Sequence, residues 1–311
     1  MENNMTVSGG IIEIQGFDIS PEFMYPLFFL LLFVYFCLLF SNFGVLLLII
    51  TEKSLHQPMY ILFCNLSVND VIGNTVLLPQ LMAHIVSTER FITYSQCVVQ
   101  AFYSHTFGSA SHMILIIMAI DRYVAICHPL KYSSVMTTKT VIGLSAGAWG
   151  LSVLLVSVLI GLTVRLSRCR SVILNAYCDN ASLFKLSCED VSINNIYGLF
   201  FTVLLFSCSM GSVGVTYFRI ALICWIKKNR ELNNKALQTC ASHLVLYLIM
   251  LWSGIFTIIL HRFPDYPDLR KIASILFHVV PANLNPVIYG MQTKSLHNRI
   301  IHVLRRKVTP T

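Results

Sequence analysis

Met118-Ala119-Ile120-Asp121-Arg122-Tyr123-Val124-Ala125-Ile126-Cys127-His128-Pro129-Leu130-Lys131-Tyr132 is the stretch on which the fold turns. It begins as the tail of a long apolar run. It then sets an acid and an arginine side by side where that run should leave a membrane. An arginine in a bilayer is expensive unless it is paired, near an interface or part of a working site. The question for the rest of the chain is whether it is built to span a membrane.

Composition says that it is. Hydrophobic residues make up 56% of the chain and charged residues 12%, about half the usual charged share of a soluble domain. Seven windows are long enough to cross: 23–51, 55–88, 91–120, 140–164, 191–218, 236–260 and 272–293. A crossing needs roughly 20 apolar residues. Only the second window holds an interior charge, Asp70. The connections are short, the longest lying between Arg165 and Asp190, so a large soluble domain has no room. The expected organisation is one all-α seven-helix unit over 1–311. Residues 1–22 form an outer tail, 23–293 the bundle and 294–311 an inner tail with a short amphipathic helix after Lys294.

Basic residues set the expected orientation. The first 22 residues hold Glu2, Glu13, Asp18 and Glu22 and no Lys or Arg. Arg219, Lys227, Lys228, Arg230 and Lys235 cluster between the fifth and sixth windows, and Lys294, Arg299, Arg305, Arg306 and Lys307 in the tail. The N-terminus is therefore expected outside and the C-terminus inside, at the plasma membrane. The net charge of +8 reads as inner-leaflet topology. Nucleic-acid binding would want a basic soluble face. The first apolar run is too long and starts too late for a cleavable signal peptide, so the first span is expected to serve as the targeting signal. Asn4-Met5-Thr6 and Asn180-Ala181-Ser182 are glycosylation sequons expected outside. Asn65-Leu66-Ser67 lies inside a span.

Of ten cysteines, Cys37, Cys64, Cys127, Cys208, Cys224 and Cys240 fall in spans or near the inner face and read as small apolar fillers. Cys97, Cys169, Cys178 and Cys188 lie outside, and four cysteines in an oxidising compartment allow three pairings. Spacing leaves that choice open.

The candidate ligand face lies on the third span. His105, Ser109 and His112 recur at i, i+4 and i+7, one face of a helix, with Ser104 and Gly108 beside them. Opposite them, Phe201, Thr202 and Ile258 on the fifth and sixth spans and His278 on the seventh complete the candidate pocket. His112 lies deeper and reads as structural. The outer half of the third span has no acid to anchor an amine. Arg262, just beyond the sixth span, suits a carboxylate through two parallel hydrogen bonds, or equally a lipid headgroup or a pair with Asp265, Asp268 or a loop acid. Asp70, at mid-membrane depth, needs polar partners, water, a cation or its own proton. Asn42, Ser111 and Asn285 stand at corresponding depths. No closely spaced metal-ligand pattern or Gly-rich phosphate loop points to an enzyme, and no cofactor is expected. A transporter would want inverted repeats or charged, interrupted helices, and only Asp70 fits. The seventh helix is expected to hold no lysine for a retinal Schiff base.

The opening stretch resembles the Asp-Arg-Tyr region of rhodopsin-like receptors, and its extension Val124-Ala125-Ile126-Cys127 with Pro129-Leu130 and Tyr132 resembles the odorant receptor family. Pro58-Met59-Tyr60, Leu66-Ser67-Val68-Asn69-Asp70, Lys235-Ala236-Leu237-Gln238-Thr239-Cys240-Ala241-Ser242-His243-Leu244 and Pro281-Ala282-Asn283-Leu284-Asn285-Pro286-Val287-Ile288-Tyr289-Gly290 extend that resemblance in order along the chain. His261-Arg262-Phe263 is similar to the fish-like, class I branch. Ser41-Asn42 stands where Gly-Asn is usual, and Ala282 where a second proline is. Neither departure removes a chemical group that signalling needs.

The resemblance implies a receptor that binds a small odorant, an anionic one if Arg262 takes part, and activates a stimulatory heterotrimeric G protein and the cAMP pathway. It implies Cys97–Cys178 and Cys169–Cys188 as the disulfides. It also implies a coupling and switch set: Asp121, Arg122, Tyr123, Tyr217, Asn285, Pro286 and Tyr289. In it, Asp121 pairs with Arg122 at rest, and Tyr217 and Tyr289 turn towards Arg122 on activation. At Asp70, Ser111 and Asn285 it implies a cluster holding sodium or water. The rival readings are a rhodopsin-like receptor for a non-odorant metabolite or steroid, and a transporter or channel.

Overall fold

In lipid every backbone polar group must be satisfied within the protein, and a helix does that for each span separately. The computed structural model describes residues 10–227, 230–260 and 266–292, with the backbone alone at 227, 230–239 and 289–292. Helices α1 (Pro21–Thr51), α2 (Pro58–Val86) and α3 (Tyr94–Cys127) are followed by a short α4 (Pro129–Val135) and by α5 (Thr138–Val164). A one-turn α6 (Asn180–Phe184) precedes α7 (Ser192–Lys227), α8 (Arg230–Leu260) and α9 (Pro267–Gln292). All but α4 and α6 are long and apolar enough to cross a membrane, seven helices in all among the described residues.

Burial separates the roles of the helices. In α1 only Leu38, Asn42, Val45 and Ile49 are buried, a stripe repeating every three or four residues. Phe29, Phe33, Phe36 and Phe40 are exposed, as suits a peripheral helix that faces lipid. In α3 every turn from Cys97 to Asp121 contributes buried residues, so α3 is the central post. One glycine sets how closely α2 approaches it. A Cβ on Gly73 would lie 2.6 Å from the Phe107 ring, closer than any real contact, so the ring fits only because that side chain is missing.

The helices outrun the charge-free windows. The third continues through Asp121-Arg122-Tyr123 to Cys127, and the seventh starts at Pro267 with Asp268, Arg270 and Lys271 in its first turns. A charged side chain ends the apolar slab but not the helix, because a long stem can carry its head to the interface. Lys271, which the window left out, therefore does belong to the seventh helix. It sits in the first turns and donates to Asp268 at 3.1 Å, far from mid-membrane.

The end of the bundle where α3 begins, the outer end by the expectation from the basic residues, carries a cap of three strands that was not foreseen. β1 (Ile11–Ile14) lies between β2 (Phe91–Thr93) and β3 (Val172–Ile173). It pairs antiparallel with β2, Ile12 opposite Ile92, and parallel with β3, Glu13 opposite Val172. Its alternating burial turns Ile12 and Ile14 inward, where they pack with Ile160, Leu183 and Phe201. Arg90 fastens the segment after β1 by donating to the carbonyls of Gln15 and Phe17 at 2.6 and 2.9 Å.

Candidate functional site

Two disulfides shape the roof. Cys97, at the outer end of α3, is bonded to Cys178, and Cys169 to Cys188, the pairing that the resemblance implies. The first bond lays Tyr177, Asp179 and Asn180 over the outer end of the bundle. Gln100 holds the same point, its side-chain oxygen accepting from the Cys178 amide at 2.8 Å. The Asp179 carboxylate caps α6, accepting from the Ser182 amide at 2.6 Å and from the Asn175 side chain at 3.1 Å. Burial, with the Asp179 charge nearby, pushes the Tyr177 phenol up, so it stays protonated.

Beneath this roof lies an inner chamber of about 160 Å³. Ser104, His105, Gly108, Ser109, Phe201, Thr202, Ile258 and His278 line it, so eight of the nine expected pocket residues come together. The ninth, Arg262, lies outside the described residues. His105, Asp179, Phe201, Thr202 and Ile258 also border an outer chamber of about 330 Å³, whose wall includes Asn180, Lys185 and Asn194. Together the chambers fall within the roughly 300–1,000 Å³ of small-molecule sites.

Several wall groups are committed to protein partners. His278 donates from Nδ1 to the Ser274 carbonyl and accepts at Nε2 from the Ser104 hydroxyl, both at 2.9 Å, and its ring stacks on Phe107 at 4.9 Å. His105 accepts at Nε2 from the Asn180 amide at 3.2 Å, which leaves the ring proton on Nδ1. Ser109 donates to Ser152 at 3.1 Å.

Asn180, expected to carry a glycan, requires a correction. It is 5% exposed, and its side-chain oxygen accepts from the Thr163 hydroxyl at 2.6 Å. A buried amide in a chamber wall leaves no room for a sugar. The other sequon, Asn4, lies outside the described residues.

Sequence reasoning missed the aromatic slot. Phe277 fits between α3 and α8 because both present glycine there: a Cβ on Gly108 would come within 3.2 Å of its ring, and one on Gly254 within 3.3 Å. Phe206, Thr257 and Tyr177 were missed too, and His112, read as structural, lines the inner chamber. An aromatic ring in an apolar span reads equally as lipid-facing, so only the two glycines gave a signal.

Deeper in the bundle, Asn285 donates to Asp70 at 2.7 Å. Ser111 does not join that bond. It accepts from Asn69 at 2.8 Å, and Asn69 also donates to the Phe107 carbonyl at 3.0 Å. Asn42 donates to the Ala282 carbonyl at 3.1 Å. Pro286 explains that bond, since it lacks the N–H that would otherwise reach Ala282. Side-chain oxygens of Asp70, Asn42 and Asn74 are buried without partners among the described residues. Oxygen donors of this kind fit a hard cation and fit water equally.

At the inner end Arg122 donates from its guanidinium to Asp121, and Asp121 accepts from the Tyr132 hydroxyl at 2.9 Å. Burial, then the Asp121 charge, pushes the Tyr132 phenol up, so it remains a donor. Tyr217 bonds to His243 Nδ1 at 2.5 Å, and Tyr123 meets His128 at 3.4 Å. The Tyr289 side chain and the helix expected after Lys294 lie outside the described residues.

The family model described as olfactory receptor matches residues 31–307. Human olfactory receptor 5B12 is 35% identical, with 95% of this chain and 94% of its own covered. Human olfactory receptor 52J3 is 32% identical over 88% of this chain and 89% of its own. Human olfactory receptor 8G1 is 31% identical over 98% of both.

Proposed function

The chain belongs to the olfactory receptor family, and on that basis we propose that the two chambers under the α6 roof receive its odorant. It is a multi-pass membrane receptor rather than an enzyme, and G-protein coupling goes with the family. The observation that carries the site is the meeting of α3, α7, α8 and α9 around one chamber. The combined volume of the two chambers suits a small molecule. We assign it an acceptor-rich or anionic odorant. In support, Lys185 borders the outer chamber, Asp179 is engaged in capping α6, and the outer half of α3 carries no acid. Arg262 is proposed as a further contact for a carboxylate.

Odorant binding favours the conformation whose inner face is open, a population shift that requires tighter binding to that state. Arg122 then leaves Asp121 for a G protein of the stimulatory type. The N-terminus is assigned outside and the C-terminus inside, from the basic residues. The single receptor unit spans 1–311, with an inner tail from 294. The Asp70 knot is assigned to water, and sodium is the second reading. The test is a cAMP reporter in cells expressing this chain, screened against small acids, amino acids, alcohols and amines. Acids should lead. Gly108→Val, which crowds the chamber and the Phe277 ring, should lower the response to every agonist at matched surface expression. Agonists indifferent to Gly108→Val would place the site elsewhere.

A further inference from the structure

His112 stands apart among the side chains of the inner chamber. It is 1% exposed, and neither ring nitrogen has a hydrogen-bond partner among the described residues. The large majority of buried side-chain polar groups in folded proteins are bonded, so a ring with both nitrogens unbonded needs an explanation. Its neighbours do not supply a bond. Phe206 and Tyr247 meet the ring edge-on, with centroids 5.1 and 6.2 Å away. The Tyr247 hydroxyl donates to Ser209 and the Ser109 hydroxyl to Ser152, both at 3.1 Å. His112 lies two helical turns, roughly 10 Å, further from the roof than His105.

Those surroundings fix the chemistry His112 can offer. The acid of the chamber wall, Asp179, is in the roof, and the groups against the ring are aromatic. An imidazolium would have no counter-charge there, so the ring is neutral and presents one N–H and one lone pair. A carboxylate at this depth would sit among rings with no cation. A methyl end would leave both nitrogens unbonded. A hydroxyl or carbonyl oxygen suits the site, because either accepts from the N–H and a hydroxyl can also donate to the lone pair.

We propose that the odorant presents a neutral oxygen, as hydroxyl or carbonyl, to His112 at the inner end of the chamber, and leaves any charge at the roof. The ligand class is thus a short molecule polar at both ends, such as a hydroxy or oxo acid. This rests on reading the chambers as the odorant site.

The test uses the full chain in cAMP-reporter cells. The probes are straight-chain carboxylates of about four to eight carbons, each beside its partners carrying a hydroxyl or an oxo group at the far end. A site built to bond an oxygen rejects the analogue that lacks it. The oxygenated partner should therefore be more potent by about ten- to a hundredfold on the receptor as it stands, a comparison that needs no variant. His112→Phe should erase the difference and His112→Asn should keep part of it. Equal potency within each pair, or a difference that survives His112→Phe in a surface-expressed receptor, overturns the proposal. So does silence towards the whole panel. Gly108→Val separates the two readings. If it lowers every response at unchanged surface expression while the pairs remain equal, the chamber stands as the site and the role of His112 falls. If it changes nothing, the site itself falls.

Discussion

Asp121 holds two partners at once, the Arg122 guanidinium and the Tyr132 hydroxyl. In the proposed coupling role, Arg122 turns to a G protein only by giving up this acid. Arg122→Ala should abolish odorant-evoked cAMP while surface expression, read by flow cytometry, stays near normal. A well-expressed mutant that signals normally would sink the role of Arg122. Tyr132→Phe removes one of the two bonds to Asp121 and should raise agonist-free cAMP about two- to fivefold, since one hydrogen bond to a charged group is worth roughly 1.5–3 kcal/mol and part of it survives through water. Unchanged basal cAMP would show that Tyr132 does not restrain the pair. Asn42 is a second kind of case, bonded to the carbonyl that Pro286 leaves without its helical donor. Asn42→Ala should cost about 1–3 kcal/mol, read as a lower melting temperature in detergent. The Asp121-Arg122 pair was legible because two charges at the end of an apolar run have few other uses. The partner of Asn42 was not, because a missing N–H on Pro286 says nothing about which distant side chain will serve the carbonyl.

Gly73 shows how one missing side chain sets the spacing of two helices, with the Phe107 ring where its Cβ would be. Gly73→Ala should push α2 from α3 and destabilise the bundle by about 1–3 kcal/mol, the usual cost of overpacking. Phe107→Leu in the same chain should recover part of the loss. If the single variant melts as the parent does, α2 is free to shift and the contact is not limiting. Spans were easy to read at this scale, since a run without Asp, Glu, Lys or Arg has few fates other than lipid. Their ends were not, because Asp268, Arg270 and Lys271 continue α9 beyond the apolar slab. The strands escaped altogether. β1, β2 and β3 are four, three and two residues long, too short for an alternation to show, and main-chain bonds between distant segments hold them. On α3 the helical period puts His105 and Ser109 on one face, and both line the inner chamber. The same period carried His112, and only its greater depth made it read as structural, although it too lines the chamber.

The two disulfides differ in the length of chain they close, with separations of 81 and 19 residues. By loop entropy the longer link is worth about 4–5 kcal/mol and the shorter about 3. The longer one also holds the roof. Cys97→Ser should therefore cut surface expression sharply and Cys169→Ser less so. Equal losses would mean that the inner fold of the loop, rather than its tether to α3, limits maturation. The outer cap carries a consequence of another kind. Its central strand, Ile11–Ile14, leaves the ribosome before either partner exists. β2 follows after one pair of spans and β3 only after four, so the strand made first is the last to find its place. Until Ile173 has been translated, Ile12 and Ile14 have only half of their sheet to hide in. A nascent receptor thus carries its first strand half-covered until the chain beyond its fourth span has been made.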